Sequence, residues 1–139
     1  MNSVPPITIE QLTQLSKTWN RIRDKIMEMV ELGVFEHLDT DRFGVCGVNS
    51  YEVSEDGKEL IVNLYLYERG YGNYNTPFRC PVELFFLDTS RLGEYVHERE
   101  AEKRCQRERA REAAKRERRR QEYLKLKAEF EPEAADGSH

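Results

Sequence analysis

Five cations, Arg104, Arg107, Arg111, Lys115 and Arg118, follow one another at spacings of three and four residues. On a helix they fall within an arc of about 80° and form one stripe, stretched over about 21 Å by the helical rise. Guanidinium and ammonium groups with no nucleophile or general base beside them make and break no bonds. Their chemistry is neutralisation of a row of negative charge, either phosphates along a nucleic-acid backbone or an acidic groove on a protein. Such contacts weaken with salt. Pairing within the helix competes for the same charges. Glu100 with Arg104 and Glu112 with Arg116 stand at i,i+4, while Glu108 with Arg111 and Glu117 with Arg120 stand at i,i+3, each pair worth about 0.2–0.5 kcal/mol. The stripe is therefore a binding surface or one side of a self-paired, solvated rod.

A second constellation, Arg69-Gly70-Tyr71-Gly72-Asn73-Tyr74-Asn75, sets an arginine and two tyrosines among glycines between apolar runs. An exposed loop is expected. Arg69, Tyr71 and Tyr74 suit stacking on unpaired bases, and equally a protein partner, for which tyrosines supply rigid contact area. The plainer alternative is a long hairpin turn whose tyrosines fold onto Tyr65 and Tyr67. Signals for bond-making chemistry are weak. His37 lies near Glu36, Asp39 and Asp41, a grouping that reads as capping and solvation after a helix rather than as a metal site. His97 stands alone, and no glycine-rich segment joins a strand to a helix to cradle phosphate. The expectation is a non-enzymatic protein with no catalytic residue, metal, cofactor or small-molecule substrate.

The charge is unevenly distributed. Residues 98–127 hold thirteen basic and seven acidic side chains without glycine or proline, whereas residues 1–97 hold nine basic and fifteen acidic ones. The net charge of -4 thus conceals an acidic body and a basic helix, which attract each other in competition with outside partners. A 139-residue chain with 38% hydrophobic and 35% charged content suits one small domain plus an appendage. Cys46, Cys80 and Cys105 are odd in number and widely spaced, which argues for a reducing compartment. Met1–Ile9 lacks the basic opening of a signal peptide, and no apolar run is long enough to span a bilayer. A cytoplasmic location without membrane contact is expected.

The elements that must position these groups follow from periodicity. Thr8 and Gln11 form a capping box, and Ile7 is placed to staple onto Leu12. From there Leu12, Leu15, Trp19, Ile22, Ile26 and Met29 share one helical face, which is expected to be buried, and Gly33 offers a left-handed terminus. Strands are expected over 45–53, 58–67 and 78–87, the first two joined at Asp56-Gly57. The third strand would place Phe78, Cys80, Val82, Leu84 and Phe86 together, with Pro81 at an edge or bulge. Asp88, Thr89 and Ser90 can each cap the last helix.

The fold class is thus α+β: an N-terminal helix on a three-stranded antiparallel sheet, then a long charged C-terminal helix. The expected division is a compact domain over 1–96, the helix over 97–130 and a flexible acidic tail over 131–139. The same element order occurs in double-stranded-RNA-binding domains. Here, however, the second helix opens as Leu92-Gly93-Glu94-Tyr95, without the lysines that face phosphates. Alanines and Cys105 are the non-polar residues between Ala101 and Gln121, too small for a zipper seam. At the far end Tyr123, Leu124, Leu126 and Phe130 form an apolar foot, a candidate contact for a homodimer.

The strand Pro81-Val82-Glu83-Leu84-Phe85-Phe86-Leu87-Asp88 and the stretch Tyr123-Leu124-Lys125-Leu126-Lys127-Ala128-Glu129-Phe130-Glu131 resemble small accessory proteins of tailed bacteriophages and prophages. The resemblance covers residues 77–131. It implies an accessory protein in the host bacterial cytoplasm and carries over no functional residue. Three functions follow as expectations: binding of a host protein or nucleic acid through the stripe, inhibition of a host defence protein through the acidic body or tyrosine loop, or structural dimerisation through the foot.

Overall fold

The computed structural model describes residues 4–136, with side chains as far as Phe130. The fold is α+β. Helix α1 spans Ile9–Glu31, strands β1, β2 and β3 span Phe43–Val53, Glu59–Glu68 and Gly72–Pro81, a 3-10 turn spans Val82–Phe86, and helix α2 spans Thr89–Asp136. The strands form an antiparallel meander in the order β1-β2-β3, so β2 is central and Pro81 ends an edge strand. By contact the chain divides into one unit ending at Val96 and a second beginning at His97.

Helix α1 starts on the expected capping box, with Thr8 and Gln11 exchanging side-chain to backbone bonds of 3.0 and 3.1 Å. It stops at Gly33, where a φ of +79° suits glycine because a Cβ disfavours the left-handed region. There Gly33 N donates to Val30 O and Val34 N donates to Met29 O, the two bonds of a Schellman end, and Val34 is buried beside them.

The core lies between one face of β2 and the C-terminal part of α1. Leu60, Val62, Leu64 and Leu66 alternate along β2 and are buried with Ile26, Met29 and Val30, joined by Phe35, Leu84 and Leu92. Lys25 secures this packing by donating from Nζ to Leu87 O at 2.5 Å, just before α2. Asp88 caps α2 by accepting from Arg91 N at 2.8 Å. The helix therefore begins at Thr89, within the capping group expected at 88–90, and its first turns carry Leu92 into the core. It continues as helix to Asp136, past the expected end at 130. Of the tail expected over 131–139, residues 137–139 lie outside the described residues.

Two expectations are corrected. The apolar face of α1 is not buried along its length: Leu12 and Leu15 are 59% and 58% exposed, and Ile7 is as open as Leu12, so no staple covers either. Burial is complete only from Ile26 onward, because the helix outruns the sheet that it packs on. The third strand is also displaced. Pro81 has no N–H to continue a ladder, so β3 ends there and the chain turns into the 3-10 segment, which buries Leu84 but leaves Phe86 77% exposed.

Burial also separates the cysteines. Cys80 is buried, and desolvation pushes its thiol up to about 11, whereas Cys46 and Cys105 are exposed. Two outcomes follow. Leu64→Ala should cost about 2–5 kcal/mol in urea unfolding, as expected for a fully buried leucine. Native-state thiol titration should label Cys46 and Cys105 rapidly, and Cys80 only after denaturation.

Candidate binding surfaces

Arg104, Arg107, Arg111, Lys115 and Arg118 lie on one uninterrupted helix, and all five are exposed. From Arg104 to Phe130 every side chain of α2 is exposed. Among the described residues the five make no ion pair or hydrogen bond, so the expected pairings of Glu100 with Arg104 and Glu108 with Arg111 are not formed; Glu112 and Arg116 do not pair either, and Glu100 instead meets Arg99 at 3.4 Å. The Glu117–Arg120 pair is present at 3.9 Å, and Glu117 also accepts from Gln121 at 3.3 Å. The absence of glycine and proline explains the continuity: nothing in 98–127 interrupts helical hydrogen bonding.

A second row was not singled out from the sequence. Arg109, Arg116 and Arg120 fall within about 40° of one another on the far side of α2, around a shallow surface also lined by Glu112, Ala113 and Glu117. Its signal was present as spacings of seven and four. Two acidic residues lie along this row, one of them paired with Arg120, so the first stripe carries the cleaner positive field.

The expected loop over 69–75 is largely strand. β2 and β3 pair from Glu68↔Gly72 onward, leaving only Arg69, Gly70 and Tyr71 between them. The turn closes by Tyr71 N donating to Glu68 O at 3.0 Å, and φ is +90° at Gly70 and +89° at Gly72. Positive φ at both positions permits so short a reversal. The trio of Arg69, Tyr71 and Tyr74 is therefore divided. Arg69 and Tyr71 sit at the tip, with Tyr71 80% exposed. Tyr74 sits in β3 and donates from its hydroxyl to Glu68 Oε2 at 3.0 Å.

Glu68 is the buried acidic residue behind that turn. Its Oε1 accepts from Arg42 Nε at 2.8 Å, Arg42 lies 5.0 Å from the Phe43 ring centroid, and Phe43 meets the Tyr74 ring edge-on. The Arg42 bond, ahead of the Tyr74 bond, holds the Glu68 carboxyl below its usual range against the opposing effect of burial. Burial and then the Glu68 bond hold the Tyr74 phenol above its usual value. This cluster locks a turn and leaves no group free for acid–base work.

Asp39, part of the grouping around His37, closes a local turn, with Oδ1 accepting from Asp41 N and Arg42 N at 3.0 and 3.3 Å. Among the described residues no three His, Cys, Asp or Glu side chains are placed to hold a metal. His97 is exposed on α2. The apolar foot is uncovered: Tyr123, Leu124, Leu126 and Phe130 are all exposed. No helix among the described residues is long and apolar enough to cross a membrane.

The class is set by this architecture: an α+β protein whose surface features are a cationic helical stripe, a tyrosine-tipped hairpin and two uncovered apolar patches. No protein-family model, curated protein or solved structure matches the chain.

The Glu68 cluster gives a signed pH prediction. A carboxyl whose folded pKa is lowered contributes stability above its unfolded value, near 4.5, and loses it as pH falls through the lowered folded value. Glu68→Gln should therefore lower the thermal midpoint at neutral pH. The gap from wild type should narrow below pH 4.5, and a gap that is constant down to pH 2 would contradict the assignment.

Proposed function

We propose that the chain is a non-enzymatic accessory protein of the kind encoded by bacteriophages, acting in the host cytoplasm by binding a polyanionic partner through the stripe Arg104, Arg107, Arg111, Lys115 and Arg118. One observation carries the reading: all five side chains are exposed and without an ion-pair partner among the described residues, on one unbroken helix. Cations already paired would exchange one partner for another with little gain. Unpaired ones release counterions from a polyanion on binding.

Five contacts of this kind give a slope of log affinity against log salt of about -4.5 on duplex DNA. Fluorescence anisotropy with a labelled duplex, a single strand and heparin across a salt series reads that slope. The triple variant R104E/R111E/R118E should lose at least about tenfold in affinity at low salt and flatten the slope by about three. Unchanged low-salt affinity in the variant would sink the reading. A pull-down from bacterial lysate with and without nuclease separates a nucleic-acid partner from an acidic protein.

A second reading, inhibition of a host defence protein, is favoured by the exposure of Tyr71 at a rigid turn tip. Such a tip suits insertion into a partner's cleft at low entropic cost. Tyr71→Ala, which leaves the Tyr74–Glu68 bond intact, should then abolish capture of a host protein with the melting temperature unchanged. Undiminished capture would remove the hairpin from consideration.

A further inference from the structure

The N-terminal half of α1 carries an apolar stripe that the fold does not use. Leu12, Leu15, Trp19, Ile22, Ile26 and Met29 alternate at spacings of three and four, the a/d pattern of a helix-pairing seam. The later positions of the seam enter the core, while Leu12 and Leu15 remain more than half exposed. The half-buried Trp19 stacks on Tyr51 at a centroid distance of 5.8 Å. Tyr51 and Val53 pair with Val62 and Leu60 in β1–β2, so they lie on the core side of the sheet, yet they are 41% and 51% exposed. Seam and strand end therefore form one apolar surface continuous with the core.

The charges around this surface select its occupant. Between Ile9 and Asn20 only Glu10 and Lys17 are charged, in a chain with 35% charged residues, and both fall on the side of the helix opposite Leu12, Leu15 and Trp19. The seam is bordered instead by Gln11, Ser16 and Thr18. An identical helix can approach this face without setting like charges against each other, whereas a strongly charged partner would find nothing complementary. A groove lined by Pro5, Pro6, Ile7, Gln11, Gln14 and Leu15 runs along one flank, a recess for a side chain from an opposing helix. Apolar exposure supports the same occupant. Ile7, Leu12, Leu15, Tyr51 and Val53 are all exposed on this side and supply the apolar centre that an interface between copies needs.

We infer that two copies of this chain pair through the N-terminal halves of their α1 helices in a two-fold symmetric dimer. Leu12 and Leu15 of each copy lie at its centre and Trp19, Tyr51 and Val53 at its margin. The symmetry is isologous, so one patch serves both partners. This places the self-contact in α1 rather than in the foot at Tyr123, Leu124, Leu126 and Phe130, and it does not depend on the stripe binding any polyanion.

The test is sedimentation equilibrium of the full chain under reducing conditions, from micromolar to submillimolar concentration. Wild type should approach twice 16.4 kDa, whereas L12E/L15E should remain at the single mass throughout. Both leucines are exposed, so the variant should keep the wild-type far-UV spectrum and a cooperative melt. A second variant, L124E/L126E/F130E, should dimerise as wild type does. A monomeric wild type across the range, or a dimer that survives in L12E/L15E, would overturn the inference, as would a dimer lost only in the foot variant.

Discussion

The structure depends on one packing contact: the inward face of β2 against the C-terminal third of α1. Leu60, Val62, Leu64 and Leu66 meet Ile26, Met29 and Val30 there, and everything else in the body is fastened to that layer. A small domain buries too little surface to build a second core, so each neighbouring element earns its position by adding side chains to this one. The chain after Gly33 adds Val34 and Phe35, the 3-10 turn adds Leu84, and α2 adds Leu92 in its first turn. The Lys25 bond to Leu87 O holds the joint between α1 and α2 in place.

The same constraint explains what stays uncovered. One short sheet covers only part of a 23-residue helix, and the seam continues past the end of that cover. Exposed apolar side chains scattered singly are ordinary on protein surfaces, but a continuous, uncharged, helically spaced row is a different matter. In α2 the reverse holds. Beyond Lys103 the helix gains nothing from burial among the described residues, and its backbone propensity, free of glycine and proline over 98–127, must sustain it. That requirement favours a polar, charged sequence, which also leaves cations available on the surface.

Local chemistry was legible wherever it acts over a few residues. The Thr8–Gln11 box, the Gly33 terminus, the Asp56-Gly57 turn and the capping group at 88–90 each formed as their spacing implied. The stripe was legible too, because helical angle is set by spacing alone. The hairpin at Arg69–Tyr71 was not: glycines mark a reversal without saying how many residues pairing will take up, and register placed Tyr74 in a strand. Similarly, Pro81 signalled an edge, and only the ladder showed that it ends one.

The sequence by itself determined which residues turn, which cap, which side of each helix is apolar and where positive charge accumulates, since all of these follow from backbone geometry and spacing within a segment. Only the tertiary structure decided how much of each apolar face finds a partner. It gave Ile26 and Met29 a sheet and left Leu12 and Leu15 without one. It also drew Glu68 behind a turn, between Arg42 and Tyr74. The physical reason is that burial depends on surface contributed by distant parts of the chain, which no local period encodes.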